Sequence, residues 1–168
     1  MLTEHENAFS ALRTAQDRAL EVRLEAQHAV AVAELEERLR REMVDASDAA
    51  RRHIIDSILT RHCPACDAAF DDWDACAAVK CRNCPCHFCG ICLANCGTAQ
   101  VAHRHCATCV WTGRELYLRE DQVAQKTNEW RREQIQRALA CLPAGARKQL
   151  LQSIAVQLRH VGLGDLLA

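Results

Sequence analysis

CPACDAAFDDWDACAAVKCRNCPCHFCGICLANCGTAQVAHRHCATC, residues 63–109, carries eleven of the chain's twelve cysteines, and its reading decides that of everything around it. Four Cys-x-x-Cys pairs stand in it, Cys63/Cys66, Cys81/Cys84, Cys89/Cys92 and Cys106/Cys109, with Cys86/Cys89 a competing fifth. The two intervening residues make a tight turn that leaves both thiolates on one side. From there both can sit about 2.3 Å from one tetrahedral zinc ion. Taken in order, Cys63, Cys66, Cys81 and Cys84 complete a first zinc site. A second begins with Cys89 and Cys92 and draws two more ligands from Cys96, His103, His105, Cys106 and Cys109. His105 with Cys109 is the preferred choice, because a His and a Cys at that spacing close one tetrahedron; His103, Cys106 and Cys96 are the substitutes. With every ligand supplied by protein, neither ion keeps an open position, so both read as structural.

A disulfide framework explains this pattern less well, since it leaves the two histidines without a role, and iron–sulfur spacings do not match. Cys86 and Cys96 remain as alternative ligands, and His62 and His87 read as ordinary surface residues of the module. Phe70 and Trp73 are expected to form a small core between the metal sites, inside a loop or hairpin over residues 67–75.

Outward from the knot, residues 1–61 contain neither Gly nor Pro and are rich in Ala, Leu, Glu and Arg, which predicts a helix. Thr3 with Glu6 fits a capping box at its start. Phe9, Leu12, Leu20, Leu24, Ala31, Leu35, Leu39 and Met43 recur at helical steps, interrupted by Gln16, Gln27 and His28, as in an imperfect coiled coil. Residues 45–48 are a place for a kink or restart, since Asp and Ser side chains compete for backbone donors. Beyond the knot, Arg114 to Leu142 predicts an amphipathic helix, on whose apolar side Cys141 is a small buried hydrophobe. Pro143-Ala144-Gly145 breaks it, and a last helix carries Leu150, Leu151, Ile154, Leu158 and Val161. These two helices form a C-terminal helical hairpin, folded on each other or on the first helix.

The fold expected is therefore mainly α: a long helix over 1–61, a two-zinc module over 62–110, and a two-helix segment over 111–168. Only 4% of the residues are aromatic, so a large core is not expected, and metal binding would compensate. The formal net charge of −1 gives no basic footprint, and seven ligand thiolates against two Zn²⁺ take it to about −4. Nucleic-acid binding is accordingly disfavoured; a zinc-ribbon-like binder using Arg131, Arg132 and Arg137 is the weakest alternative. No apolar run of about 18 residues is present, and MLTEHENAFS lacks the layout of a signal peptide. The expectation is a soluble, intracellular protein, cytoplasmic or nuclear, in a reducing compartment without membrane contact.

The series Cys63-x2-Cys66-x9-Cys76-x4-Cys81-x2-Cys84-x4-Cys89-x2-Cys92, with Phe88 before Cys89, resembles the zinc modules of RING-between-RING (RBR) ubiquitin ligases. The in-between-RING (IBR) module and the catalytic second RING of that family share a two-zinc plan. In the catalytic ring a ubiquitin-accepting cysteine falls where Cys76 stands. The chain departs from that pattern at two places: Ala78 occupies the position of the usual histidine two residues on, and Asp74-Ala75 that of the usual glycine pair. The neighbouring Asp71, Asp72 and Asp74 also oppose thiolate formation, with Lys80 or His87 as the only local offset. The resemblance implies a zinc-binding protein-interaction module, whose helices and zinc surface dock a protein partner, ubiquitin, a conjugating enzyme or a second copy. The alternative it implies is a ubiquitin transferase with Cys76 as nucleophile, its recruiting RING supplied by another chain.

Overall fold

The computed structural model describes residues 2–70 and 76–167, without the side chains of residues 2–12 and 14. Trp73, the aspartates at 71, 72 and 74, and the side chains of Thr3, Glu6, Phe9 and Leu12 therefore lie outside the described residues. The described residues are mainly helical: α1 runs from Leu2 to His53, α2 from Ala99 to Cys106, α3 from Glu120 to Leu139, α4 from Ala144 to Ser153 and α5 from Ala155 to His160. Two short strands, β1 (Ala78–Lys80) and β2 (His87–Cys89), pair antiparallel with Val79 opposite Phe88. The chain divides into two compact units, Met1–Asp45 and Ala46–Ala168.

Through residues 45–48 α1 continues without a restart. A four-residue polar patch cannot end a helix whose flanks are Ala, Arg, Glu and Met, because helix propagation is cooperative. In the first unit the helix is exposed, with Leu20, Leu24, Val30, Leu35, Leu39 and Met43 all open to solvent. Surface pairs such as Arg41 Nε to Glu37 Oε1 at 3.3 Å and Arg38 Nε to Glu42 Oε1 at 3.7 Å run along it at i,i+4 spacing.

In the second unit α1 widens into a π-helical turn, Ile54–Leu59. The Thr60 amide reaches back five residues to Ile55 O at 3.1 Å, and the wider turn lets Ile54, Ile58 and Leu59 all face inward. Arg131 from α3 closes its open end, donating from Nη2 to Leu59 O at 2.8 Å and from Nε to Ile58 O at 3.3 Å. Arg61, just past the turn, donates to Gly90 O and lies 4.6 Å from the centre of the Phe70 ring. Burial, and then the Arg131 guanidinium, lower the Arg61 pKa to about 10, so it stays charged at neutral pH.

α3 starts at Glu120, six residues later than the helix expected from Arg114. Arg114 sits at φ 66°, and Leu116 and Tyr117 run beside the residues preceding β1, where the Ala77 amide donates to Leu116 O at 2.7 Å. The helix begins where Arg119 N–H donates to Gln122 Oε1 at 2.9 Å, with Glu120 and Asp121 in its first turn. It ends at Leu139, so the helical phase that would turn Cys141 inward is not continued, and Cys141 is exposed rather than buried. Asn128 Nδ2 donates to Val161 O at 2.9 Å and Arg132 pairs with Asp165 at 2.8 Å, tying α3 to the C-terminal residues.

One core runs through this unit. Ile54, Ile58, Ile91, Ile135, Ile154, Leu158 and Leu163 are almost wholly buried in it, and Cys89, Cys106 and Cys109 belong to the same cluster. A satellite core holds Cys63, Cys81, Cys86 and Phe88, with Phe70 packed against it. The Phe70 and Phe88 rings meet edge to face, 4.9 Å apart at 73°. Phe70 is thus packed in a small core as expected, against Phe88, while the expected contribution of Trp73 lies outside the described residues.

Candidate metal centre

Two sets of four side chains converge in the second unit. Cys63, Cys66, Cys81 and Cys84 form one, and Cys89, Cys92, His105 and Cys109 the other, their ligand atoms lying within 4.8 Å of one another. The β-hairpin joins the sets. The Cys81-x-x-Cys84 turn occupies the loop between β1 and β2, while Cys89 closes β2 and opens the turn to Cys92.

The first set is shaped by two backbone knuckles. The Ala65 amide donates to Cys63 Sγ at 3.5 Å and the Asn83 amide to Cys81 Sγ at 3.3 Å, fixing the leading sulfur of each turn. The Cys63 and Cys84 sulfurs are 3.7 Å apart, and those of Cys66 and Cys81 3.6 Å. A tetrahedron with bonds of about 2.3 Å has edges of about 3.8 Å, whereas a disulfide needs about 2.05 Å. The spacing thus fits a four-coordinate ion and excludes cross-linked pairs; none of the twelve cysteines is in a disulfide. The second set has matching edges: Cys92 Sγ lies 3.7 Å from Cys109 Sγ and 3.3 Å from His105 Nε2.

Helix α2 delivers His105. Thr98 caps it, its hydroxyl accepting from the Val101 amide at 3.4 Å, and Ala102 and Cys106 bury one face among the strands and core. The buried Thr112 hydroxyl donates to Cys106 O at 2.7 Å and lies 3.0 Å from Cys109 O, holding the turn from α2 to Cys109.

Each set concentrates negative charge on one sulfur. Burial works against the Cys63 thiolate, but the Ala65 and Cys66 amides and the Cys81 and Cys84 thiols bring its pKa down to about 7. The Ala68 amide favours the Cys66 thiolate, yet burial and its thiol neighbours push that group up to about 12. In the second set, hydrogen bonds from Cys106 and then Cys92 hold Cys89 down at about 2. The same contacts with Cys89, followed by burial, drive Cys92 and Cys106 well above the ordinary thiol range. A divalent cation would displace the protons of Cys66 and Cys92 and draw those sulfurs in as thiolates.

No family model, curated protein or solved structure matches the chain. The functional reading therefore rests on the residues themselves.

The remaining candidates fall elsewhere. Cys106 stands outside the second group but beside it, hydrogen-bonded to Cys89. Cys86 is buried with its thiol 3.3 Å from Asn95 Oδ1, and Cys96 donates to Ala94 O at 3.3 Å. His62 lies 3.9 Å from Asp67, and His87 is half-buried on β2. His103 belongs to neither metal set, and its Nε2 is 3.9 Å from Cys76 Sγ. That contact, across 27 residues of sequence, is the feature that sequence reasoning missed; its only trace is a second histidine two positions before His105.

Proposed function

We propose that this chain is a zinc-binding protein-interaction module, with two structural zinc ions held by Cys63, Cys66, Cys81 and Cys84 and by Cys89, Cys92, His105 and Cys109. The observation that carries the reading is the pair of closed four-ligand sets, whose edges suit about 2.3 Å bonds. Sulfur-rich tetrahedral sites select zinc over harder cations, and zinc brings charge neutralisation and cross-linking here, with no redox chemistry. A reducing, intracellular setting keeps these thiols available as ligands. No helix among the described residues is long and apolar enough to cross a membrane.

The partner is a protein. The exposed apolar row on α1 suits a second helix, from another protein or a second copy, and the zinc module with its IBR-like spacing suits a component of the ubiquitin system. Metal analysis of purified protein tests the first half of the reading, with two zinc ions per chain expected; a folded, metal-free protein would end it. Binding to a panel of ubiquitin-conjugating enzymes tests the second half.

A second reading, a ubiquitin transferase using Cys76, is favoured by the imidazole beside that thiol. Its test is incubation with ubiquitin-charged conjugating enzymes. The expected product is a thiol-sensitive adduct that Cys76→Ser abolishes, and its absence across a broad panel would leave the interaction reading alone.

A further inference from the structure

We infer that the exposed face of α1 around Leu35 and Leu39 is a self-association site, on which a second copy of this chain docks antiparallel about a two-fold axis level with residue 37. This deepens the interaction-module reading, and rests on it, by naming the partner of α1. What commits the face to a second copy is the order of charge along it.

Ala31, Leu35, Leu39 and Met43 follow one another at four-residue steps along α1. All four are exposed, the last three by 46%, 48% and 45%. Among the described residues no other element belongs to the Met1–Asp45 unit, so nothing within that unit covers them. Such a row forms a ridge inclined to the helix axis, and two of these ridges pack by interdigitation where helices cross. A crossing needs no strict heptad, which this helix lacks at Gln27 and His28. From residue 31 to residue 43 the ridge is about 18 Å long. With the axis level with residue 37, Leu35 of each copy stands at the height of Leu39 of the other. The small Ala31 stands at the height of the long Met43, so a large side chain meets a small one at both ends of the contact.

The charges beside the ridge invert at the same level. Glu34, Glu36 and Glu37 precede it, and Arg38, Arg40 and Arg41 follow. In an antiparallel pair the three carboxylates of each copy lie beside the three guanidinium groups of the other, twice over. In a parallel pair in register, acid would lie on acid and base on base, which like-charge repulsion penalises. A foreign helix has no reason to carry the reverse of this order, whereas α1 run backwards carries it by identity. Within one chain these groups make surface pairs, such as Arg40 Nε with Glu37 Oε2 at 2.9 Å and Arg41 Nε with Glu37 Oε1 at 3.3 Å. The side chains stay 42–71% exposed, and exposed pairs of this kind hold little energy and re-form across an interface.

The test is sedimentation equilibrium of the zinc-loaded full chain, with zinc measured on the same sample. A dimer should build up across about 1–100 µM, as a short crossing contact of micromolar affinity would give. Leu35→Asp should weaken it at least about 10-fold, because the new carboxylate is buried against Leu39 of the second copy. The triple changes Glu34→Arg/Glu36→Arg/Glu37→Arg and Arg38→Glu/Arg40→Glu/Arg41→Glu should each weaken it about as much, and an equimolar mixture of the two variants should associate again. Glu and Arg are both good helix formers, so neither triple change loosens α1. A benzophenone side chain introduced at Met43 should cross-link to the turn around Ala31 of the second copy; cross-linking to the turn around that copy's own Met43 overturns the antiparallel order. A chain with two zinc ions that stays monomeric throughout overturns the inference and leaves the zinc module standing, with another protein on α1. A dimer that Leu35→Asp leaves intact overturns it too, by placing the contact elsewhere. A folded, metal-free chain that still dimerises through Leu35 would uphold the inference and remove the zinc reading.

Discussion

Two histidines stand two residues apart on α2 with different neighbours, so substituting each should have a different effect. His105 Nε2 lies 3.3 Å from Cys92 Sγ within a four-membered set, so His105→Ala removes one ligand of four. Structural zinc contributes about 10–16 kcal/mol of apparent binding free energy, an average of about 2.5–4 kcal/mol per ligand. The second site should therefore weaken about 100- to 1000-fold, while the first, built from other residues, keeps its affinity. Because Cys89, Cys106 and Cys109 are part of the main core, a weakened second site should also lower the unfolding free energy. His103→Ala, whose ring faces Cys76, should keep both metals at full affinity. The same holds for Cys86→Ser and Cys141→Ser, which lie outside both sets. Zinc content by elemental analysis, followed by competition with a chromogenic chelator, separates these outcomes. If His103→Ala loses one zinc while His105→Ala retains two, the assignment of the second set is wrong.

Phe88→Ala should cost about 3–5 kcal/mol in denaturant unfolding of the zinc-loaded protein, since the ring is fully buried against Phe70 at the centre of the satellite core. A cost below about 1 kcal/mol would mean the metal, and not packing, holds that region. Asp67 sits at φ 58° at the end of the first knuckle, so Asp67→Gly should stabilise the protein by up to about 1 kcal/mol, read as a higher melting temperature at fixed zinc. A lower melting temperature would instead assign weight to the Asp67 carboxylate near His62. Zinc loading of the metal-free chain at pH 7 should release protons, because Cys66 and Cys92 are thiols held above the ordinary range until an ion displaces the proton. Acidification then weakens binding, as protons compete for the same sulfurs. Calorimetry in buffers of different ionisation enthalpy measures the release, and a buffer-independent heat would contradict it.

The metal sets were legible because their geometry is local. A Cys-x-x-Cys turn fixes two sulfurs whatever surrounds it, and sequential pairing of such turns brings Cys63, Cys66, Cys81 and Cys84 to one point. The His105–Cys109 spacing follows the same logic at the end of a helical turn. The long helix was legible from composition, since nothing before the Cys63 knuckle breaks it. What escaped depends on tertiary contacts. The π-helical turn exists so that Ile54, Ile58 and Leu59 can share one core, and Arg131, 72 residues away, stabilises its end. Helix α2 is short and held by its Thr98 cap and its buried face, Ala102 and Cys106, which packs on tertiary neighbours that propensity does not report. The stretch before Glu120 is captured by the sheet edge at Ala77, which shortens a helix that its residues alone would extend. The Cys76–His103 contact needs both the hairpin and α2 in place, so no window of sequence contains it.

Zinc K-edge X-ray absorption of the purified, zinc-loaded chain tests the central claim most directly. One all-sulfur site and one three-sulfur, one-nitrogen site predict an average first shell of about 3.5 sulfurs near 2.3 Å and about 0.5 nitrogen near 2.0–2.1 Å per zinc, at two zinc per chain. A shell dominated by oxygen or nitrogen, or a single zinc per folded chain, would contradict it.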